Sequence, residues 1–398
     1  MSAGGSEPVL EHEKFMAQAL DLAEQGRGST APNPMVGCVI VRDGDVIGEG
    51  YHAKAGEAHA EVNALRDAGD ANGATVYVTL EPCNHHGRTP PCTDALVDAG
   101  VRRVVIAATD PNPKVDGQGI ARLQDAGIEV IVGVMQDEAE TQNEVFRTVQ
   151  TKKRPFVLYK TAMTLDGKIA TRDGQSRWIT GAASRDLVQQ WRNDLDAIAV
   201  GVNTVLRDDP KLTCRLDDGH TPTKIVFDSV ARTPADATLF EPDPRGAEPS
   251  VVIFVTDKAP SSRVDALQAR GADVVRVSEV RGRTDVSVAL QELYERGITS
   301  LLLEGGGTLA WSFFEARAVD KVAVFIGPKL VGGGGASPLA GLGVSRMDEA
   351  ITLDGITTQQ LENDFLISGT VVYRPSDVPE QAGIETETQT EAQTREVR

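Results

Sequence analysis

The segment from residue 59 to residue 92 decides how the first part of this chain must fold. It reads HAE at 59–61, EPC at 81–83 and TPPC at 89–92. The imidazole of His59 and the thiolates of Cys83 and Cys92 can fill three of the four tetrahedral positions of zinc, leaving the fourth for water. Glu61 follows closely after His59 and is available as a proton carrier. The sequence therefore predicts a zinc site with a carboxylate beside it.

The same spacing indicates one kind of chemistry. A histidine-glutamate pair followed by Pro-Cys ligands is the signature of zinc-dependent nucleobase deaminases, in which the glutamate carries protons and does not bind the metal. Zinc lowers the pKa of bound water to about 7, so a nucleophile is available at neutral pH. Glu61 would accept the water proton and return it to the ring nitrogen and the leaving ammonia. We expect Glu61 to be the catalytic residue.

Two other interpretations of the motif remain open. A structural zinc site would need a fourth protein ligand, and His85 or His86 is close enough in sequence to supply it. Alternatively, the two cysteines are buried thiols and His59 lies at the surface. The coincidence of the histidine-glutamate pair, the cysteine after Glu-Pro and a second nearby cysteine favours the catalytic site.

The segment between the two cysteines is longer than in the simplest deaminase pattern, which has two residues there. Eight residues, 84–91, intervene in this chain, and they include His85, His86 and Arg88. A cation and two imidazoles beside the metal are suited to recognise an anionic or polar part of a substrate that plain cytosine lacks. The alternative is an ordinary surface loop.

Length and composition limit the class of protein. A chain of 398 residues exceeds the size at which one hydrophobic core stops growing, so about two domains are expected. No apolar run approaches the ~20 residues that cross a bilayer, and residues 1–8 lack the features of a signal peptide. Four cysteines are too few for a disulfide framework in so long a chain. We therefore expect a cytoplasmic protein with no membrane partner.

The chain is strongly acidic, with a formal net charge of -18 and a pI near 4.8. This charge argues against a nucleic-acid partner, because nucleic-acid binding uses clustered Lys and Arg. It still allows a small phosphorylated substrate, since a few local arginines can outweigh the global field at one pocket. Residues 376–398 are rich in Glu, Thr and Gln and cannot bury enough apolar surface to fold. We expect them to form a disordered acidic tail.

The pattern of apolar runs predicts an α/β fold in two domains. Asp-Gly at 43–44 between two β-rich runs indicates a hairpin. Later strands alternate with helices, which favours a largely parallel sheet, first over residues 11–150 and again over residues 151–375. The polar, basic segment 148–155 marks the boundary between these domains, and residues 1–10 are expected to form a flexible N-terminus.

The expected elements follow from these runs. In the first domain, helices are predicted at 11–25, 59–68, 93–99 and 120–126, with strands at 36–41, 46–51, 74–80, 104–108 and 129–132. In the second domain, strands are predicted at 156–159, 197–200, 224–228, 250–255, 273–277, 300–303, 321–326 and 365–373. Helices are predicted between them at 183–193, 263–269, 286–296 and 308–316. The glycines at 332–335 predict a loop.

Two segments of the second domain suggest ligand binding. A buried strand runs into Glu304, three glycines at 305–307 and a helix that begins near Thr308. Glycines allow close backbone approach, and a helix N-terminus offers unpaired N–H groups to phosphate. The spacing is not GxGxxG, so a Rossmann site is not supported, and a tight strand–helix turn is the alternative. Residues 204–215 place several cations in a turn-rich segment, for which the alternative is a solvated loop.

Further stretches carry a resemblance to a known family: APNPMVGCVIV at 31–41, EPCNHHGRTPPC at 81–92, LDGK at 165–168, SRWI at 176–179, DDPKLT at 208–213 and EGG at 304–306. Together with the HAE motif they resemble the RibD family of bifunctional riboflavin biosynthesis proteins, over residues 11–375. The resemblance implies a cytidine-deaminase-like α/β/α domain followed by a dihydrofolate-reductase-like α/β domain. It also implies deamination of 2,5-diamino-6-(5-phosphoribosylamino)pyrimidin-4(3H)-one to 5-amino-6-(5-phosphoribosylamino)uracil, then NADPH-dependent reduction of the ribosyl to the ribityl side chain.

The resemblance also assigns residues. It implies zinc binding by His59, Cys83 and Cys92, with Glu61 as the proton donor. It implies NADPH contacts at Ala162, Trp178, Thr204, Asp208, Ser229, Gly306, Gly307, Thr308, Leu309, Ala310, Trp311 and Ser312. Substrate contacts would fall at Ser176, Arg192, Leu212, Arg215 and Glu304, and Lys160 is a further candidate near the reacting sugar. Arg192 and Arg215 suit the ribose phosphate, because guanidinium binds phosphate in a bidentate manner.

Two other functions must be weighed against this two-step enzyme. One is a tRNA or nucleoside deaminase with an unrelated C-terminal domain, which the acidic charge disfavours for tRNA. The other is a zinc-stabilised interaction protein whose C-terminal half only binds a nucleotide. For the two-step enzyme we expect zinc and NADPH as cofactors, a small phosphorylated pyrimidine as substrate, and a homo-oligomer formed through the reductase domain.

Overall fold

The structure, a computed structural model, describes residues 7–85, 90–112, 115 and 117–374, with the backbone alone for residues 7–9. The predicted tail at 376–398, residues 1–6 of the predicted flexible N-terminus, and His86 and Arg88 of the inserted segment lie outside the described residues. Residues 7–10 belong to the first helix. Among the helices of the described ranges, none combines the length and the apolar character that crossing a membrane demands.

The first sheet is built from five strands: β1 (Gly37–Arg42), β2 (Asp45–Tyr51), β3 (Thr75–Leu80), β4 (Arg103–Ala108) and β5 (Glu129–Val132). Their order is β2-β1-β3-β4-β5. β1 pairs antiparallel with β2 and β3, while β3, β4 and β5 are parallel. The predicted hairpin is confirmed, and Asp43 and Gly44 have φ values of 53° and 87°, the positive values that a two-residue hairpin turn requires.

Helices cover both faces of this sheet: α1 (Glu7–Glu24), α2 (Ala60–Ala68), α3 (Cys92–Asp98), α4 (Gln118–Asp125), α5 (Gln136–Gln142) and α6 (Glu144–Lys152). Successive strand side chains point to opposite faces, so the strands contribute to two cores. Ile40 and Val78 pack with α2, α3 and α4 on one face. Val39 and Val105 pack with α1 and α5 on the other. The result is an α/β/α sandwich.

The strands after residue 155 are β6 (Phe156–Thr164), β7 (Ala197–Gly201), β8 (Thr223–Phe227), β9 (Val251–Val255), β10 (Asp273–Arg276), β11 (Glu279–Val280), β12 (Arg283–Thr284), β13 (Ser300–Leu303), β14 (Lys321–Gly327), β15 (Thr352–Leu361) and β16 (Asp364–Val372). β11 and β12 pair with each other. The others form a nine-stranded sheet in the order β10-β9-β8-β7-β13-β6-β14-β16-β15. The strands from β10 to β14 in this order are parallel, and β16 is antiparallel to both of its neighbours.

The helices of this second part are α7 (Ala182–Asp194), α8 (Val202–Asp208), α9 (Ser261–Gln268), α10 (Val286–Glu295) and α11 (Gly307–Glu315), with short 3-10 helices at Thr238–Phe240 and Met347–Glu349. Because β7, β13 and β6 are neighbouring parallel strands, their carboxyl ends meet at one edge of the sheet. α8 leaves this edge after β7, and α11 leaves it after β13. In open α/β sheets, ligands bind in the crevice outside the carboxyl ends of the strands.

Most predicted strands and helices are confirmed, with shifts of a few residues at their ends. Elements absent from the prediction include α5, α6, α8 and β15. α8 corrects the interpretation of residues 204–215 as a turn-rich segment, since residues 204–208 are helical. The predicted boundary segment, 148–155, begins inside α6, which ends at Lys152.

Asp320 anchors the junction between the two sheets. Its side chain is 5% exposed and accepts hydrogen bonds from Lys152 Nζ at 2.7 Å and from the Arg154 guanidinium at 2.7 and 2.9 Å. It also accepts a bond from the backbone N–H of Val157 at 2.9 Å. Asp320 directly precedes β14, so its buried carboxylate joins the start of β14 to the end of α6 and the start of β6.

Replacing Asp320 with alanine should destabilise the fold, because it leaves the nearly buried Arg154 and a backbone N–H without their acceptor. Removing one partner of a buried ion pair costs about 3 kcal/mol or more. The matched control is Asp348→Ala, whose pair with Arg346 is 60% and 70% exposed, and which should cause little loss of stability. Chemical denaturation of the two variants measures the free energies of unfolding, and equal losses would contradict the anchoring role.

Candidate active sites

The HAE motif lies at the start of α2. His59 occupies the N-cap position with an extended backbone (φ -72°, ψ 162°), and Glu61 lies in the first helical turn. α2 packs closely on β2 because residue 50 is glycine: a Cβ there would lie 2.4 Å from the backbone nitrogen of Ala64. Glycine at this position therefore allows the helix to bring His59 and Glu61 against the sheet.

The two cysteines approach His59 from other elements. Cys83 follows β3, and Cys92 is the first residue of α3. His59 Nδ1 lies 3.2 Å from Cys92 Sγ and 3.6 Å from Cys83 Sγ. The three ligand atoms lie within 4.8 Å of one another, and His85 is not part of this group within the described ranges. His86, the other candidate for a fourth ligand, lies outside the described residues.

The three donor atoms fit a zinc ion. Bonds of about 2.0 Å to nitrogen and 2.3 Å to sulfur in a tetrahedron place the two donors about 3.5 Å apart. The nitrogen–sulfur separations found here, 3.2 and 3.6 Å, are close to that value. One imidazole and two thiolates leave one tetrahedral position for water, which is typical of a catalytic zinc site.

The two thiols of the cluster shift each other's pKa in opposite directions. A hydrogen bond from Cys92, with further contributions from His59, lowers the pKa of Cys83 to about 4. The same hydrogen bond, together with burial, raises the pKa of Cys92. The backbone N–H of Cys92 also donates to Cys83 Sγ at 3.4 Å. Residue 83 therefore carries a thiolate at neutral pH, which is the form that binds zinc.

Glu61 is the buried carboxylate of this site, with 3% of its surface exposed. Burial raises the pKa of Glu61, and the neighbouring Cys83 thiolate raises it further. A carboxyl group whose pKa is raised towards neutrality can both accept and return a proton, which general acid–base catalysis requires.

Three residues near the zinc ligands had no role in the sequence-based prediction. The His52 ring packs edge-on against the His59 ring, with centroids 5.4 Å apart, and His52 Nε2 lies 3.2 Å from Asn33 Nδ2. Burial raises the pKa of Asp110, which also interacts with the charges of Glu81, His85 and Cys83. Asp110 lies two residues after the end of β4, so its position near a strand end was the available signal in the sequence.

Glu304 and Arg192 form an ion pair at the edge of the second sheet. Glu304 follows β13, and its two carboxylate oxygens accept hydrogen bonds from Arg192 Nε at 3.2 Å and Nη2 at 2.9 Å. The side chains are 14% and 12% exposed. Arg192 also donates to the carbonyl of Thr213 at 3.2 Å. Lys160 lies on the neighbouring strand β6, with its Nζ 5.8 Å from the centre of the Phe325 ring.

Several residues assigned to the cofactor lie along the same edge. Thr204 and Asp208 belong to α8, Ser229 follows β8, and residues 306–312 span the start of α11. The Leu309 side chain comes within 3.7 Å of the position that a Cβ on Gly201 would take. The start of α11 and the end of β7 are therefore in contact.

The other assigned residues are more dispersed. Ala162 lies late in β6, and Trp178 is 60% exposed, with the Arg185 guanidinium 4.6 Å from its ring centre. Leu212 is buried. Ser176 and Arg215 lie in loops, and Arg215 is exposed. Among all the residues assigned to the cofactor or the substrate in the described structure, only Arg192 and Glu304 are joined by hydrogen bonds between their side chains.

Comparison with known proteins identifies both halves of the chain. The family model of the cytidine and deoxycytidylate deaminase zinc-binding region matches residues 10–108, and that of the RibD C-terminal domain matches residues 155–367. Riboflavin biosynthesis protein RibD of Actinobacillus pleuropneumoniae is 44% identical over 360 residues, which cover 90% of this chain and 95% of that protein. The chain belongs to the RibD family.

Solved RibD structures share the fold. RibD of Acinetobacter baumannii is 36% identical with a TM-score of 0.76, and the match covers 92% of this chain and 100% of that one. A Thermotoga maritima protein, described as a diaminohydroxyphosphoribosylaminopyrimidine deaminase/5-amino-6-(5-phosphoribosylamino)uracil reductase, is 37% identical with the same TM-score and coverage. RibD of Escherichia coli is 42% identical over 327 residues, or 81% of this chain and 89% of that protein.

As a RibD protein, the chain is a bifunctional deaminase and reductase of riboflavin biosynthesis that uses zinc and NADPH. The expected fold class is confirmed, with a deaminase-like α/β domain followed by the RibD reductase domain. The two rival functions are wrong, because the second half is neither an unrelated domain nor a non-catalytic nucleotide-binding domain.

The ion pair with Arg192 controls the ionisation of Glu304 at the carboxyl edge of the second sheet. Burial alone raises the pKa of Glu304, but the charges of Arg192 and Lys160 outweigh it and lower that pKa to about 2. Burial also lowers the pKa of Lys160, and the charge of Glu304 partly offsets this. Glu304 is therefore an anion throughout the neutral range.

The variant Glu304→Gln tests this assignment through pH. Because the pKa of Glu304 is lower in the fold than its ordinary value of 4.5, its ionisation stabilises the fold above that pH. This contribution, about 3 kcal/mol, is lost as the pH falls towards the folded value. The difference in free energy of unfolding between wild type and Glu304→Gln should therefore be largest near neutral pH and shrink in acid.

Urea denaturation at a series of pH values measures that difference. Glu241→Gln is the matched control, because its pair with Lys211 is half-exposed on both sides, and we expect only a small difference in the free energy of unfolding. A Glu304→Gln difference that stays constant with pH would contradict the ion pair.

Proposed function

We propose that this chain deaminates 2,5-diamino-6-(5-phosphoribosylamino)pyrimidin-4(3H)-one to 5-amino-6-(5-phosphoribosylamino)uracil and then reduces the ribosyl side chain to ribityl. The observation that carries the proposal is the cluster of His59, Cys83 and Cys92 beside the buried Glu61, in a chain whose second half matches the RibD C-terminal domain. The description of the Thermotoga maritima relative names both substrates for that protein.

In the deaminase, His59, Cys83 and Cys92 would hold zinc, which supplies a Lewis acid that makes water nucleophilic at neutral pH. Glu61 accepts a proton from the attacking water and delivers it to the pyrimidine ring nitrogen. It then carries the proton of the new hydroxyl group to the departing amine. Water supplies the new carbonyl oxygen, and the exocyclic amine leaves as ammonia. The buried position of Glu61 supports this role, since bulk water would otherwise compete for the same proton.

The reductase residues named below would hold NADPH, which would supply a hydride for C1′ of the ribosyl unit. The proposed cofactor contacts are Ala162, Trp178, Thr204, Asp208, Ser229, Gly306, Gly307, Thr308, Leu309, Ala310, Trp311 and Ser312, and most of them lie at the carboxyl edge of the second sheet. The proposed substrate contacts are Ser176, Arg192, Leu212, Arg215 and Glu304, with Lys160 beside them. The exposed Arg215 is suited to the phosphate, whereas Arg192 is already paired with Glu304.

We also propose a domain organisation, in which the deaminase domain extends over residues 11–150 and the reductase domain over residues 151–375. The protein would be a cytoplasmic homo-oligomer. The edge strand β15 supports association through the reductase domain, because nearly all of its residues are exposed. An exposed edge presents unpaired backbone groups that can pair with another chain. Ile356 in β15 and Phe365 in the neighbouring β16 are 60% and 50% exposed. Light scattering of the purified protein measures its oligomeric mass.

A two-part product assay tests the reaction sequence. Wild type should release ammonia from the diaminopyrimidine phosphate without NADPH, and it should oxidise NADPH only after deamination has occurred. Glu61→Gln keeps the shape of the side chain but cannot carry the proton, so deamination should fall by a factor of about 10²–10⁴. The same variant should still oxidise NADPH normally when given the deaminated compound.

The matched control is Glu129→Gln, a half-exposed glutamate on β5 that pairs with Arg103. It should keep both activities. Near wild-type ammonia release by Glu61→Gln would refute the role of Glu61, and an absence of NADPH oxidation in the presence of deaminated substrate would refute the reductase assignment.

A further inference from the structure

Glu81 is a buried carboxylate at the zinc site for which neither the sequence motifs nor the proposed chemistry provides a role. It is 3% exposed and directly follows β3. One carboxylate oxygen accepts hydrogen bonds from the backbone N–H groups of Gly119 at 2.9 Å and Ile120 at 3.2 Å. The other accepts from the backbone N–H groups of Asp110 at 3.3 Å and Gly117 at 3.1 Å. A single side chain therefore collects four backbone donors.

All four donor residues lie in the segment of chain that follows β4, the strand next to β3. β3 and β4 are adjacent and parallel, with Leu80 opposite Ala108. Asp110 and Gly117 lie in the connection after β4, while Gly119 and Ile120 lie in the first turn of α4. The carboxylate satisfies N–H groups that the start of a helix leaves unpaired. Glu81 thus fastens the end of β3 to the start of α4.

The start of α4 packs tightly against Pro82 and Glu81. A Cβ on Gly119 would lie 2.1 Å from the carbonyl oxygen of Pro82 and 3.1 Å from a carboxylate oxygen of Glu81. The backbone of Pro82 is therefore pressed against α4. Because Pro82 is the only residue between Glu81 and Cys83, the position of the Cys83 backbone depends on this contact.

α3 holds Cys83 from the other side. The carbonyl of Cys83 accepts a hydrogen bond from the N–H of Thr93 at 3.2 Å, and Cys83 Sγ accepts one from the N–H of Cys92 at 3.4 Å. Cys83 therefore sits between the starts of two helices, and Glu81 provides the attachment to one of them. Both oxygens of Glu81 are occupied by backbone donors, so Glu81 is suited neither to bind the metal nor to carry a proton.

We propose that Glu81 is the positioning residue of the zinc centre: by clamping β3 to α4 it fixes where the Cys83 thiolate points. The proposal rests on the assignment of His59, Cys83 and Cys92 as zinc ligands made above. Groups that orient metal ligands without touching the metal affect metal affinity, because a misdirected ligand forms a weaker bond.

The variant Glu81→Gln tests the clamp at constant size. Its amide nitrogen would face two of the four backbone N–H groups, which removes two acceptor contacts and places donors against donors. We expect zinc to transfer to a chromophoric chelator about 10–100 times faster than from wild type. The visible absorption of the cobalt-substituted protein should shift, since it reports the geometry of the thiolate ligands. Reduction of the deaminated substrate should be unchanged, which shows that the reductase domain has folded, and binding of one zinc ion per chain shows that the zinc site has formed.

A second variant approaches the same contact from α4. Gly119→Ala must displace the Pro82 carbonyl, and it should also release zinc faster and shift the cobalt spectrum. It decides the question if Glu81→Gln fails to fold. Glu129→Gln, on β5 of the same domain, is the matched control and should behave as wild type in both measurements.

The outcomes separate this inference from the assignment on which it rests. If wild type binds one zinc ion that is lost in Cys83→Ser, the ligand assignment stands. If Glu81→Gln or Gly119→Ala then releases zinc at the wild-type rate with an unchanged cobalt spectrum, the positioning role is refuted. If wild type binds no zinc, or Cys83→Ser binds it as wild type does, the ligand assignment itself fails.

Discussion

The proposed zinc centre requires three ligand atoms to meet, and each comes from a different element; they lie within 4.8 Å of one another. His59 precedes α2, Cys83 follows β3 and Cys92 begins α3. Several contacts in the first domain hold these elements in position. Gly50 brings α2 onto the sheet, the start of α3 directs an N–H at the Cys83 sulfur, and Glu81 fastens the end of β3 to α4. A site of this kind depends on the backbone as much as on its ligands.

The second domain applies the same architecture to a different chemistry. In both sheets a proposed site residue follows a parallel strand at its carboxyl end, as Cys83 follows β3 and Glu304 follows β13, and the segments that leave such ends form a crevice. The buried carboxyl groups of the two sites, Glu61 and Glu304, have pKa values shifted in opposite directions. Burial and a nearby thiolate raise the pKa of Glu61, whereas cations outweigh burial and lower the pKa of Glu304. One carboxyl group is therefore prepared to exchange a proton, and the other remains an anion.

The sequence predicted those features that depend on neighbouring residues. The hairpin at 43–44, the helix after His59 and most strands were visible because turn residues and apolar periodicity are local signals. α8 was taken for a loop because it is only seven residues long. β15 was missed because an exposed edge strand with the sequence TLDGITTQQL lacks the alternation of a half-buried strand.

Contacts between distant residues could not be predicted in this way. Arg192 and Glu304 were both assigned to the substrate, but their ion pair joins positions 112 residues apart. The donors to Glu81 lie 29 to 39 residues after it. Glu81 meets its donors because the parallel strands β3 and β4 place their carboxyl ends side by side. Arg192 reaches Glu304 from α7, which packs against the sheet that contains β13. Both contacts are properties of the folded sheet and its helices and not of either segment.

The proposed zinc site has one imidazole and two thiolates as ligands and one position left for water. X-ray absorption at the zinc edge of the zinc protein measures these neighbours. We expect two sulfur neighbours at about 2.3 Å and two nitrogen or oxygen neighbours at about 2.0–2.2 Å, with the outer-shell scattering of a single imidazole. A spectrum with two imidazoles, or with any number of sulfur neighbours other than two, would contradict this ligand assignment.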